Sequence, residues 1–172
     1  KRHDLMLDAF AGVLRECRSA RMVLVGSAGE PGFDRAMHHK AQSLGINDRT
    51  TWFPFFEDIR EIECAADVVA LPSDEEPLGT CILEAMSLEI PVVVSDAGGG
   101  VELIEDGKSG IAMAGGDVAF LTSTLLRLAE SATLRSELGR CAREWVKGNF
   151  GHGQHARTVL EILLPNWPKN MR

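Results

Sequence analysis

Residues 71–86, LPSDEEPLGTCILEAM, contain the change from strand to helix from which the fold can be worked out. The apolar run 68–71 at the start of this stretch has the composition of a short buried strand. Apolar residues then recur at helical spacing over 78–88, and Pro77 is the kind of residue that favours the first position of a helix. We therefore predict a strand, an acidic loop and a helix that starts at Pro77.

The alternation of strand and helix continues on both sides of this stretch. Four more short apolar runs predict strands, at 22–26, 51–55, 92–95 and 111–113. Helices are predicted over 3–17, 33–44, 59–66, 118–129, 134–147 and 155–164, with a single turn over 101–104. The strand runs are rich in valine and do not alternate strictly with polar residues, which is typical of strands buried on both faces of a parallel sheet. The expected fold is α/β, a Rossmann-like doubly wound parallel sheet.

The first predicted element is a helix with no strand ahead of it. In a parallel sheet each crossover helix usually has a strand on both sides. We therefore expect the first strand of the domain to lie upstream of residue 1. Residues 1–164 would then form one domain and 165–172 an irregular tail. A domain that simply begins with a helix is the alternative.

Composition excludes several classes of protein. Hydrophobic residues make up 45% and charged residues 25% of the 172 residues, as in soluble globular domains. No apolar run reaches the ~18–20 residues that cross a bilayer. The net charge of -7 disfavours nucleic acid as a partner. The four cysteines are far apart, which favours the reducing cytoplasm over a disulfide framework, and the histidines lack the further ligands of a metal site, so no metal is expected.

The acidic loop and its helix form the candidate site. In doubly wound sheets, ligands bind beyond the carboxyl ends of the strands. The free amide groups of a first helical turn attract phosphate, and Gly79 lets a ligand approach the backbone. Glu76 and Glu84 are spaced for an elongated ligand, with a sugar at Glu76 and a ribose diol at Glu84. A hydrolase pair and an acidic run that only stabilises the helix start remain open.

A second stretch, SDAGGGVELIEDGKSG over 95–110, follows another predicted strand. The glycines at 98–100 allow backbone amides to wrap a ligand, although a tight strand-to-helix turn explains them equally well. Residues 26–29 form a G-x-x-G loop that does not match the dinucleotide pattern G-x-G-x-x-G.

These residues resemble the donor-binding domain of glycosyltransferase family four, which has the GT-B fold. The resemblance rests on P-S-x-x-E-P-x-G-x-x-x-x-E-A-M over 72–86, and it continues over 92–102 and 106–110. It implies transfer of a sugar from a nucleotide diphosphate donor to an acceptor hydroxyl, with retained anomeric configuration and generally without a metal. No cofactor is implied.

The resemblance also implies roles for single residues. Glu76 would be the catalytic residue, which holds the transferred sugar and stabilises its cationic transition state, and Glu84 would bind the ribose. Lys1 would bind the diphosphate, and Phe55 and Phe56 would lie beside the base. The donor-binding residues implied are Lys1, Phe55, Pro77, Leu78, Gly79, Thr80, Glu84, Gly98 and Gly99.

The partners implied are the nucleotide-sugar donor and an amino-terminal acceptor domain of the same parent protein, without which efficient transfer is not expected. The parent would work in the cytoplasm or at the cytoplasmic face of a membrane.

Three positions depart from the family pattern. Glu89 stands where a glycine with positive φ is usual. A residue with a side chain in that conformation lowers stability by on the order of 1 kcal/mol. Leu78 replaces phenylalanine, and Arg2 replaces the glycine that follows the lysine.

Two other functions remain: a nucleotide-sugar epimerase of the same fold, which lacks this glutamate spacing, and a non-catalytic flavodoxin-like binding or regulatory module.

Overall fold

The computed structural model describes residues 1–26, 31–54 and 56–163. Phe55, most of the G-x-x-G loop, Leu164 and the tail 165–172 lie outside the described residues, and what the sequence predicts for them stays a prediction.

Strands and helices alternate, and every strand pair is parallel, which confirms the predicted α/β fold. The strands are β1 (Met22–Val25), β2 (Thr50–Phe53), β3 (Val69–Leu71), β4 (Val92–Ser95) and β5 (Ile111–Met113). The helices are α1 (His3–Glu16), α2 (Phe33–Ser43), α3 (Ile59–Glu63), α4 (Thr80–Ser87), α5 (Val118–Glu130), α6 (Ala132–Asn149) and α7 (His152–Leu163). Short 3₁₀ helices cover Asn47–Arg49, which the sequence did not predict, and Gly99–Leu103.

The strands form two parallel sheets, β1–β2 and β3–β4–β5. The central strand β4 is buried along its whole length, and its alternate residues face two different helical layers. Val92 and Val94 pack with α4 and with Ala142 of α6, whereas Val93 packs with α1 and α5. Helices therefore cover both faces of the three-stranded sheet, as expected for a doubly wound fold.

Helix α1 connects the two sheets. Its apolar residues recur three and four positions apart, so one side of the helix is buried. Leu5 packs in the same cluster as Val93 of β4, whereas Phe10 packs in the cluster that contains Met22 of β1. In the part of the chain that the structure covers, no ladder joins β1 to β3. Packing against α1 is thus a main link between the two sheets.

Helix α4 begins at Thr80, so the prediction that Pro77 opens it is wrong. Gly79 has φ +74°, a left-handed conformation that interrupts the helical path between Pro77 and Thr80. Pro77 and Leu78 therefore belong to the loop before the helix. Because the helix starts three residues late, its first free amide groups are those of residues 80 and 81.

The end of α4 explains why glycine is usual at position 89. Glu89 has φ +62°, its amide donates to the Met86 carbonyl at 3.1 Å, and the Ile90 amide donates to the Ala85 carbonyl at 3.0 Å. These are the two bonds of a Schellman turn. Glu89 thus adopts a conformation that disfavours side chains, and Arg143 on α6 pairs with its carboxylate at 3.2 Å.

Helix α6 packs on this turn through Gly139. A Cβ atom at position 139 would overlap the carbonyl oxygen of Glu89. The missing side chain is therefore what allows α6 to approach the end of α4. In residues 1–26, 31–54 and 56–163, no helix combines the length and apolar character that crossing a membrane requires.

We expect Gly139→Ala to lower the free energy of unfolding by about 1–3 kcal/mol, because the added methyl group pushes α6 away from the backbone of Glu89. The melting temperature should fall by roughly 2–4 °C for each kcal/mol in a chain of this size. Gly148→Ala on the same helix is the matched control, since a Cβ atom there meets nothing within 4 Å. Circular dichroism melts measure both variants, and equal melting temperatures would contradict this packing.

Candidate functional site

The candidate site lies at the carboxyl end of β3, in the loop 72–79 that leads into α4; we call this segment the Glu76 loop. Pro72 and Ser73 are buried, whereas Asp74 and Glu75 point to solvent. Leu71 and Ile82 pack around Gly79 at the start of the helix. The Glu76 loop is therefore anchored at both ends and exposes its middle.

Glu76 is held by contacts to three separate segments. Its Oε1 accepts a hydrogen bond from the Gly79 amide at 3.1 Å, and its backbone carbonyl accepts one from the Gly99 amide at 2.6 Å. Its Oε2 forms an ion pair with the Lys1 ammonium group. Only 10% of the Glu76 side chain is exposed. The carboxylate is thus fixed at the amino end of α4, where the helix dipole favours negative charge.

The residue after Lys1 ties the amino-terminal segment to the same loop. The Arg2 guanidinium donates to Asp74 at 3.1 Å and to Asp4 at 3.0 Å. These bonds raise the pKa of Arg2, and the Arg2 hydrogen bond lowers the pKa of Asp4. Arg2 adopts φ +53°, the conformation that the usual glycine adopts easily, and its side chain provides contacts that glycine lacks.

Gly98 and Gly99 lie against the backbone of the Glu76 loop. A Cβ atom on Gly98 would lie 2.7 Å from the Glu76 nitrogen, and one on Gly99 would overlap the Pro77 carbonyl oxygen. The Gly99 amide donates to Glu76, so it is not free for a ligand in this structure. Close packing of two loops therefore requires glycine here, and contact of these residues with a donor stays a prediction.

The first turn of α4 presents free hydrogen-bond donors. Within the described ranges, the amides of Thr80 and Cys81 have no protein acceptor. Leu78 is 49% exposed and Thr80 is also exposed, so this turn is open to solvent beside the Lys1 ammonium group. A positive helix end next to a lysine is suited to binding a phosphate group.

Glu84 lies one turn further along α4 and is exposed. It has no ion-pair partner among the residues described. Between it and Glu76 lies Cys81, whose thiol has a raised pKa because of burial and, next, the Glu76 charge. Glu76 and Glu84 therefore lie on either side of the open first turn in sequence, and their roles in donor binding stay a prediction.

Sequence reasoning missed Glu63, the last residue of α3. It is 5% exposed, and its Oε2 is covered without a hydrogen-bond partner. Burial and the charge of Glu84 raise its pKa. A buried polar group without a partner costs about 1–3 kcal/mol, so it calls for an explanation. A glutamate in a short helix gives no sequence signal for this burial.

A cavity of about 730 Å³ opens beside Lys1, at the carboxyl ends of β1 and β2. This volume lies within the ~300–1,000 Å³ range of ligand sites. Its walls include Lys1, His3, Phe33, His38, Trp52 and Phe53. The His3 Nδ1 and Trp52 Nε1 atoms are buried without partners, and burial lowers the pKa of His3. Among the described residues, the cavity is thus lined by aromatic side chains, by the Lys1 ammonium group and by the Asp34 carboxylate.

The sequence predicts that Phe55 and Phe56 lie beside the base of the donor. Phe55 lies outside the described residues, whereas Phe56 packs edge to face on Phe53 with ring centroids 5.3 Å apart. Because Phe53 lines the cavity, Phe56 lies close to the cavity edge. No group of three or more His, Cys, Asp or Glu residues that could hold a metal occurs in the described ranges.

Comparison with known proteins identifies relatives of almost the whole chain. The family model described as glycosyl transferases group 1 matches residues 1–145. The D-inositol 3-phosphate glycosyltransferase of Salinispora arenicola is 34% identical over 170 residues, which cover 94% of this chain and 38% of that protein. The N-acetyl-alpha-D-glucosaminyl L-malate synthase of Bacillus anthracis is 29% identical over 150 residues, 87% of this chain and 38% of that protein.

A solved structure shows the same architecture. The crystal structure of Anabaena Alr3699/HepE in complex with UDP matches with a TM-score of 0.88 at 28% identity and covers 95% of this chain and 45% of that one. The chain therefore spans about two fifths of the length of the curated relatives it matches.

Gly99→Ala should separate the two loops of the site, because its methyl group overlaps the Pro77 carbonyl and breaks the bond to Glu76. We expect a loss of about 1–3 kcal/mol in unfolding free energy and a change in the amide resonances of Glu76 and of residues 78–80 by NMR. Gly100→Ala is the control, since a Cβ atom there meets only Val94 at 3.8 Å. Similar spectra and stabilities for the two variants would be evidence against the loop contact.

Alkylation rates should distinguish Cys81 from the exposed Cys64. Since the thiolate is the reactive form, burial and the raised pKa of Cys81 should slow its reaction with iodoacetamide at pH 8. Peptide mass spectrometry over time gives both rates in one sample. A Cys81 rate equal to or above that of Cys64 would show that the thiol is open and activated.

Proposed function

Because the chain belongs to the glycosyl transferases group 1 family, we propose that it is the donor-binding domain of a retaining glycosyltransferase of family four. The observation that carries the proposal is the position of Glu76. Its carboxylate is nearly buried, yet it lies next to the open first turn of α4 and the Lys1 ammonium group. A diphosphate bound to that turn places its attached sugar beside an acidic group.

The diphosphate binds at the start of α4. The free amides of Thr80 and Cys81 donate to its oxygens, and the helix dipole attracts its charge. Lys1 is already paired with Glu76, so its ammonium group can contact both the carboxylate and a phosphate oxygen. Pro77, Leu78 and Gly79 form the floor on which the phosphates lie.

Glu76 acts on the transferred sugar. Its carboxylate accepts hydrogen bonds from sugar hydroxyls and stabilises the positive charge that develops on the sugar as the bond to the diphosphate breaks. Lys1 stabilises the negative charge that develops on the leaving diphosphate. The sugar passes to an acceptor hydroxyl with retained configuration, and no metal is required by this arrangement.

The nucleoside occupies the other side of the first turn. Glu84 is exposed and free to accept two hydrogen bonds from a ribose diol. The cavity beside Lys1, with Phe53 at its wall, receives the base. The Anabaena neighbour holds UDP-glucose in one of its crystal structures, so uridine nucleotides are the first donors to try.

We further propose that residues 1–164 are one domain of a larger enzyme. The β1–β2 and β3–β4–β5 sheets are both covered by α1 but share no ladder in the described residues. An amino-terminal domain of the parent supplies the acceptor site, so this chain alone transfers sugar poorly. The parent acts in the cytoplasm or at the cytoplasmic face of a membrane.

Isothermal titration of the chain with UDP, GDP and ADP tests donor binding. We expect one nucleotide to bind and Glu84→Ala to weaken it by about 10- to 100-fold, as expected for the loss of charge-assisted hydrogen bonds to the ribose. Glu137→Ala, at an exposed site on α6, is the matched control. Absence of heat with all three nucleotides would favour the flavodoxin-like module without catalysis.

The same titration separates the roles of the two glutamates. With UDP-glucose in place of UDP, Glu76→Gln should remove the contribution of the sugar to affinity, because a neutral amide stabilises the sugar hydroxyls less than a carboxylate does. Glu84→Ala should weaken both ligands equally. Equal effects of both variants on both ligands would contradict the assigned order of sugar, phosphates and ribose.

A further inference from the structure

Arg2 connects the start of α1 to the Glu76 loop, because its guanidinium group donates to two carboxylates. Its Nε and Nη2 donate to Asp4 in the first turn of α1 at 3.0 and 3.1 Å, and its Nη1 donates to Asp74 at 3.1 Å. A guanidinium group is planar and rigid, so contacts on two of its edges fix the distance between the two acids. Arg2 therefore bridges two segments that are 72 positions apart in the chain.

Lys1 makes a parallel contact to the same loop. It pairs with Glu76. Arg2 pairs with Asp74, so two consecutive cations contact acids that are two positions apart in one loop. The acid between them, Glu75, is exposed and forms no ion pair in the residues that the structure describes. The amino-terminal segment thus lies alongside the Glu76 loop, with both of its side chains in contact with it.

The backbone of Arg2 is held as well as its side chain. Arg2 has φ +53° and ψ 47°, the left-handed conformation that side chains disfavour, and its carbonyl oxygen accepts a hydrogen bond from the Met6 amide at 3.1 Å. Such a conformation persists only where the surrounding contacts hold it. The bonds to the side chain and to the carbonyl therefore fix the direction in which the chain passes from Lys1 into α1.

The Lys1 ammonium group needs this support. A lysine is a point charge on a flexible four-carbon stem, and 53% of the Lys1 side chain is exposed. Within the described part of the chain, Glu76 is the acid with which it pairs. A cation whose backbone is already fixed loses less freedom when it binds a phosphate group, so the binding is tighter.

We propose that Arg2 is a positioning residue of the donor site, which through its two carboxylate partners holds the Lys1 ammonium group where the diphosphate of a nucleotide donor binds. The inference rests on the proposed function, because it takes Lys1 to contact the diphosphate. It gives a role to a residue that departs from the family pattern, since the usual glycine has no side chain to make either contact. Arg2 acts through Lys1 and does not itself touch the donor.

The charge of Asp74 allows the sign of an effect to test this role. Asp74 and Glu75 are neighbouring exposed acids in the loop before α4, so removal of either charge reduces the repulsion of a diphosphate. Electrostatics alone therefore predicts that Asp74→Ala and Glu75→Ala both strengthen nucleotide binding slightly. Loss of the contact with Arg2 has the opposite effect, and it occurs only in Asp74→Ala.

Isothermal titration of wild type, Asp74→Ala and Glu75→Ala tests the proposal, with whichever of UDP, GDP and ADP the wild type binds most tightly. We expect Asp74→Ala to weaken binding by about three- to fivefold, the scale of one partly exposed ion pair. Glu75→Ala should bind as tightly as wild type or up to about twofold more tightly. Melting curves check folding, and both variants should melt close to wild type because both positions are exposed.

The same two variants in a Lys1→Ala background show whether Arg2 acts through Lys1. Without the ammonium group there is nothing for Arg2 to position, so Asp74→Ala should no longer weaken binding and should match Glu75→Ala. A double-mutant cycle of this kind isolates the coupling between the two contacts.

The outcomes separate this inference from the proposed function. If wild type binds none of the three nucleotides, both are overturned. If wild type binds and Glu84→Ala weakens binding, but Asp74→Ala has the same affinity as Glu75→Ala, this inference alone is overturned. It is also overturned if Asp74→Ala weakens binding by the same factor with and without Lys1, because Asp74 then acts by another route.

Discussion

The hydrogen bond from the Gly99 amide to the Glu76 carbonyl oxygen, 2.6 Å long, is the contact on which the site depends. It joins the loops that follow β3 and β4, which are neighbours in one parallel sheet and therefore end at the same edge. The loops approach closely enough only because residues 98 and 99 lack side chains. With its backbone fixed in this way, Glu76 turns its carboxylate back to the Gly79 amide and out to Lys1. One backbone contact thus fixes the loop that holds the acid between the start of α4 and the Lys1 ammonium group.

Much of the fold could be predicted because its signals are local. The strands 92–95 and 111–113 are short apolar runs bounded by turn residues, and their predicted limits agree with β4 and β5. The start of α4 could not be predicted from the preference of proline for a first helical position, since the left-handed Gly79 interrupts the path. Helix α6 begins two residues before the predicted 134 because Ser131 caps it, with its hydroxyl accepting a hydrogen bond from the Leu134 amide. Local residue preferences therefore predict whether a segment is a strand or a helix better than they predict the residues at which it begins and ends.

The candidate site also contains features that the sequence predicts and features that it does not. The meeting of the Glu76 loop with the loop after β4, which contains Gly98 and Gly99, follows from strand order, whereas diphosphate binding by Lys1 stays a prediction of the family resemblance. Three features depend on side-chain and backbone contacts that strand order does not specify: the Arg2 contact to Asp74, the distance between the loops that requires glycine at 98 and 99, and the burial of Glu63. Each joins residues that are separated by dozens of positions or by a helix packing that the sequence pattern does not specify.

The separation of the strands into two sheets has a consequence for cooperativity. A two-stranded sheet is marginally stable by itself, so β1–β2 depends on α1 and α2, whereas β3–β4–β5 is enclosed by helices on both faces. The chain is thus built from two units of unequal resistance to local opening. Lys1 precedes α1, which belongs to both units, whereas Glu76 belongs to the stronger one. Because Leu5 near the start of α1 packs with Val93 of β4, partial unfolding of the weaker unit would remove the cavity walls formed by Trp52 and Phe53 and leave the ion pair of Lys1 and Glu76 in place.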